Sequence, residues 1–134
     1  MHAQVKWTDG LQFVGQSASG HSIVMDGSGG KSAPSPMEMV LMAAGGCSSV
    51  DVIAGLKADD QKVTDCIAEL TTERKESAPR VFTTVHVHFT VTGESLDEAC
   101  VSRVIKDSLE KFCSVCLMLQ GTVPMTHSYE IKNA

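Results

Sequence analysis

Two cysteine-bearing stretches carry the chemistry that this sequence offers. Cys47 closes the run MAAGGC, and Cys113 and Cys116 stand three residues apart in EKFCSVCLML. A thiolate attacks a peroxide O–O bond and becomes a sulfenic acid, which a second thiol converts to a disulfide that an external reductant reopens. Asp51 follows Cys47 by four residues, one helical turn, where a carboxylate opposes the thiolate, accepts the thiol proton, binds a polar ligand or serves only as a structural hydrogen-bond partner between subunits. A lone helical cysteine is more often a packing residue than a reactive one, and the second pair is what gives Cys47 a redox reading. Cys66, on a strand, and Cys100, on a helix face, read as packing residues. Cys113 and Cys116 alone have the spacing of a thioredoxin-type pair, but no proline lies between them and no βαβ pattern precedes them.

The elements around these thiols follow from the pattern. Ser35 and Glu38 form a capping box with Pro36 at the first helical position, so a helix begins there. From Met37 to Cys47 apolar side chains occupy every face, which predicts a buried helix with Cys47 about three turns inside it. Ahead of it, residues 3 to 25 read as a small antiparallel meander turning at Asp9-Gly10 and at Ser17 to Gly20. Behind it, residues 62 to 74 and Arg80 to Thr92 predict a long hairpin, the second strand placing Val81, Val85, Val87, Phe89 and Val91 on one face. A second capping box, Ser95 to Glu98, opens an amphipathic helix carrying Cys100, Val104, Ile105, Leu109 and Phe112. Ser114 can cap a separate short helix, in which case Cys113 gains thiolate character from the helix amides. Val123 to Ile131 alternates as a closing strand.

Length and composition restrict the function classes. At 134 residues the chain reads as one domain, residues 1–134, and is expected to oligomerise to bury two helices. A net charge of −5 and six aromatic residues exclude a basic, stacking nucleic-acid surface. The N-terminus has no leader pattern, and no apolar run approaches the ~20 residues that cross a bilayer, so a cytoplasmic protein without a membrane partner is expected. Five cysteines, an odd number, point to reduced thiols. Gly30-Lys31-Ser32 imitates the end of a phosphate-binding loop, but Met25 stands where its first glycine belongs, so residues 26–34 read as a flexible connector or a lid over the helix. His86 and His88 share a strand face at a two-ligand spacing and read as solvated; no metal ligand or cofactor site is assigned.

The order of elements, with P-x-E-x-x-x-x-A-A-x-x-C from Pro36 to Cys47 and a second cysteine 66 residues later, resembles the OsmC/Ohr family of organic hydroperoxide reductases. The resemblance implies an α+β, OsmC-like fold in which antiparallel β-sheets pack around two central helices of an intertwined homodimer. It implies Cys47 as the peroxide-attacking thiol, Cys113 as the resolving one, and a thiol or lipoyl reductant, in a peroxidase of oxidative stress defence. Active members resemble one another in an arginine that holds the thiolate and a glutamate that positions it. Here no arginine precedes Arg74, Met37 takes the glutamate place, and Glu38, Asp51 and Cys116 are the residues left to modulate the site. The alternative expectation is a catalytically inactive dimer of this fold that binds a small molecule or senses redox state.

Overall fold

Alternation along one strand sets the main core. Val85, Val87, Phe89 and Val91 of β5 (Phe82–Glu94) are buried, while His86, His88 and Thr90 face the other way. The computed structural model describes residues 1–134, whose contacts fall into two compact units, Met1–Leu41 and Met42–Ala134.

In the first unit, β1 (Ala3–Asp9), β2 (Gln12–Ser17) and β3 (Ser22–Asp26) form the expected antiparallel meander in the order β1-β2-β3. Gly10, at φ +53°, supplies the left-handed turn between the first two strands. Residues 26–34 are tied down rather than a free connector, because Asp26 gathers them. Its carboxylate accepts the amides of Ser28 (2.8 Å) and Ser32 (3.0 Å) together with both serine hydroxyls. The Ser28 hydroxyl and amide, then those of Ser32, hold the Asp26 carboxyl far below its ordinary value. A depressed carboxyl stabilises the fold above the unfolded-state pKa of about 3.9, and that contribution disappears as pH falls through the lower folded value. Asp26→Asn is therefore expected to lower the thermal midpoint at neutral pH and to flatten its decline below pH ~4. Thermal unfolding across that range checks this, and an unchanged acid slope would count against the Asp26 cradle.

Helix α1 (Pro36–Ala58) starts as its capping box predicts: the Glu38 amide donates to Ser35 Oγ (3.2 Å) and the Ser35 amide to Glu38 Oε1 (2.9 Å). Its burial is narrower than expected, following Ala44, Gly45, Ser48, Val52 and Leu56, while Met42 and Val50 stand exposed. At 23 residues and a mean hydropathy of 1.7 over its apolar window, it also exceeds the apolar length read from the sequence. By length and composition it would span a bilayer, a test that core helices of globular domains also pass.

The second unit continues with β4 (Lys62–Arg74), antiparallel to β5. Between Glu73↔Thr84 and Arg74↔Phe82 one extra residue, Thr83, bulges. The bulge reverses the alternation at the strand start, so Phe82 is buried and Val81 is exposed, opposite to the sequence expectation.

Helix α2 (Glu98–Asp107) begins later than Ser95 predicts: Asp97 is the N-cap, accepting the Ala99 amide at 3.3 Å, and Ser95 adopts φ +51°. A π-helical turn, Ser108–Phe112, follows, closed by the Cys113 amide donating to the Ser108 carbonyl at 2.7 Å. The extra residue shifts the helical phase, and Phe112, expected on the apolar face, stands 62 % exposed. Helix α3 (Ser114–Leu119) is capped by Cys113 rather than Ser114.

Strand β6 (Met125–Asn133) then pairs parallel with β5, from Val85↔Met125 to Gly93↔Asn133. The all-antiparallel expectation fails because the helical excursion returns the chain to the end of the sheet where β5 begins. The sheet is mixed, in the order β4-β5-β6.

Candidate functional site

Cys47 sits on α1 next to the buried Ala44–Gly45–Ser48 face, where glycine permits close packing. A Cβ on Gly45 would lie 2.5 Å from Leu70 Cδ1, so the absent side chain lets α1 settle on β4. Ser108, at the start of the π turn, donates its hydroxyl to the Ser48 carbonyl at 2.9 Å, fixing that turn against α1 one residue beyond Cys47. The next residues deliver Cys113 to the same place.

The result is a three-residue cluster. Cys47 Sγ, an Asp51 carboxylate oxygen and Cys113 Sγ lie within 4.8 Å of one another, with Cys113 fully buried and the other two half-buried. Cys116 is also buried; its amide donates to Cys113 Sγ at 3.4 Å and its thiol approaches the Ala44 carbonyl at 3.9 Å. Three of the residues singled out in the sequence thus come together with Cys116 beside them. Glu38 has its carboxylate engaged in the capping box, where the Ser35 amide and then its hydroxyl lower its pKa.

The N-cap position does not give Cys113 the expected thiolate character. Burial pushes its pKa up to about 12, outweighing the hydrogen bond from the Cys116 amide, and the Cys47 thiol beside it acts in the same direction as burial. Burial raises Cys116 as well. Cys66 and Cys100 are raised chiefly by burial and stand outside the cluster; Cys100 donates to Asp59 Oδ2 at 3.3 Å.

A cleft of about 390 Å³ reaches Asp51, walled by Gly55 and Ala54 of α1, Arg103 and Val104 of α2, and Phe112 of the π turn. Arg103 is its cation, but the guanidinium is bound to the Asp59 carboxylate and contacts Cys100 Sγ. The sequence signals for this cleft were weak: Arg103 belongs to the charged face of α2, and Phe112 left the apolar stripe only through the π turn.

The histidines expected to be solvated join a ladder created by the parallel pairing. His86 Nδ1 meets Thr126 Oγ1 at 2.6 Å, Ser128 Oγ lies between His86 and His88, and His88 Nε2 faces Glu130 at 3.4 Å. His88 and then Thr90 lower the Glu130 pKa, a role for the carboxylate that no local spacing around the histidines reveals.

Residues 28–128 match the family described as OsmC-like protein. The chain belongs to that family. This OsmC-like chain is 58 % identical to Protein YhfA of Escherichia coli K12, over the full length of both. It shares 26 % identity and a TM-score of 0.90 with a hypothetical protein of Aquifex aeolicus VF5, covering 99 % of this chain and 96 % of that one. The organic hydroperoxide resistance protein OhrB of Bacillus subtilis has the same fold at 15 % identity and a TM-score of 0.63, covering 97 % and 98 % of the two chains.

Proposed function

We propose that this OsmC-like protein is a cytoplasmic, homodimeric thiol peroxidase that reduces organic hydroperoxides. The observation that carries the reading is the meeting of Cys47, Asp51 and Cys113, brought from α1 and the α2–α3 junction. The Cys47 thiolate attacks the O–O bond; with one proton taken up, ROOH leaves as ROH and Cys47 becomes a sulfenic acid. Cys113 then attacks that sulfur, water leaves, and a Cys47–Cys113 disulfide remains for a thiol or lipoyl dithiol to reduce. Asp51 accepts the thiol protons in place of the family's arginine-based activation, which matters most for Cys113, held protonated by its burial. The exposed Met42 and Val50 on α1 and Val5, Trp7 and Ile23 on the meander supply apolar surface for a second copy.

Reduced protein treated with one equivalent of an aryl hydroperoxide, then mapped by peptide mass spectrometry, is expected to yield a Cys47–Cys113 disulfide faster than with hydrogen peroxide. Native mass spectrometry of the same sample should count two chains. Cys47 persisting as a free thiol would end the peroxidase reading, and a monomer would end the dimeric one.

A second reading is favoured by the cleft at Asp51 and by the engagement of Arg103 with Asp59. In it the dimer binds a small molecule or senses redox state without turnover. A ligand that copurifies stoichiometrically, together with negligible hydroperoxide consumption, would decide for it.

A further inference from the structure

Cys47, Asp51 and Cys113 hold their donor atoms close enough to serve one cation. We propose that the reduced protein binds one zinc-class divalent ion through Cys47 Sγ, an Asp51 carboxylate oxygen and Cys113 Sγ, with a cleft water in the fourth position. The site goes beyond the peroxidase reading and stands whether or not the thiols turn over peroxide.

The donor set comes first. Two thiolates and a carboxylate suit a borderline-soft, tetrahedral ion, with Zn–S near 2.3 Å and Zn–O near 2.0 Å. Such bonds place donors about 3.5–3.8 Å apart, so a set already within 4.8 Å closes by small side-chain rotations. Cys47 and Asp51 stand at i and i+4 on α1, a spacing that presents two ligands on one helix face. Cys113 arrives from a second element, held there by the π turn.

The surroundings fit as well. The Cys116 amide already points at Cys113 Sγ, the outer hydrogen bond that steadies a metal-bound thiolate. The cleft between α1 and α2 reaches the Asp51 ligand and offers an ion and its water an entry path on that side. Arg103, the cation that lines that cleft, is bound to Asp59 rather than to Asp51. The sequence hid this site because its three ligands span two distant segments, and of the paired spacings His86/His88 contains none of them and Cys113/Cys116 only Cys113.

Metal-free, fully reduced protein titrated with Zn²⁺ against a chromophoric chelator is expected to take one ion per chain. Co²⁺ in place of Zn²⁺ should give sulfur-to-cobalt charge-transfer absorption and tetrahedral visible bands. Cys47→Ser, Cys113→Ser and Asp51→Asn should each weaken Zn²⁺ binding at least about tenfold, and Cys66→Ser should leave it unchanged. Absence of stoichiometric binding to the wild-type protein, or binding unaffected by Asp51→Asn and Cys47→Ser, would overturn the site. The wild-type Co²⁺ spectrum keeps the test decisive if a variant fails to fold, since octahedral bands without sulfur charge transfer also refute it. Hydroperoxide consumption by the metal-free protein is read separately: turnover without metal binding overturns the site alone, and metal binding without turnover supports it while removing the peroxidase reading.

Discussion

Cys47→Ser is expected to abolish hydroperoxide consumption, a loss of at least about a thousandfold, because the nucleophile itself is removed. Cys113→Ser should behave differently. Its Cys47 still attacks, so one equivalent of peroxide is consumed in a single turnover and the sulfenic acid then persists or is oxidised further. The two variants separate because the thiols lie within 4.8 Å of each other but occupy unequal settings, Cys47 half-buried and Cys113 fully buried and held protonated. Stopped-flow consumption of an aryl hydroperoxide, with a sulfenic-acid trap and mass analysis of Cys47, distinguishes them. Undiminished turnover by Cys47→Ser would remove the proposed mechanism. A Cys113→Ser protein that cycles at the wild-type rate would keep the nucleophile and refute the intramolecular disulfide.

The second large effect concerns the approach of two helices. A Cβ on Gly55 would lie 2.8 Å from Val104 Cγ1 and 3.3 Å from Cγ2. Val104 is β-branched and buried, and the helix leaves its χ1 one strongly preferred rotamer, so moving its methyls aside is costly. Gly55→Val is expected to destabilise the protein by about 2 kcal/mol, overpacking that exceeds the few tenths gained in helix propensity. The double variant Gly55→Val, Val104→Ala should recover about half of that, since the two side chains compete for one space. Denaturant midpoints of the four proteins form the cycle. Additive effects would mean that the valine at position 55 clashes elsewhere.

Much of this arrangement was legible because local rules and tertiary structure agree. Ser35, Pro36 and Glu38 start α1 where their hydrogen bonds say they should, and the Val85-to-Val91 alternation chooses the buried face of β5. The failures have one form, a single residue that changes phase or direction. Thr83 bulges and exchanges Phe82 for Val81; the π turn exposes Phe112; the helical return makes β6 parallel. Binary patterning assumes constant periods and is blind to such insertions.

The make-up of the candidate cluster was legible to the same extent. Residue types and family resemblance nominated Cys47, Asp51, Cys113 and Cys116, and the structure places them together. Their electrostatics were misjudged at Cys113, where a helix N-terminus argues for the thiolate but complete burial prevails. No sequence rule states how far a side chain lies from water, and here that quantity decides the sign.

The π turn also has a bearing on chain length. Its closing bond spans five residues, from Ser108 to Cys113, where an α-helix would span four. Removing one residue from this turn would wind the following segment back by about 100° and draw it in by about 1.5 Å, carrying the second sulfur out of phase with the first. The spacing between Val101 and Cys113 is thus a timing element: a deletion that spared every named side chain would still disassemble the pair.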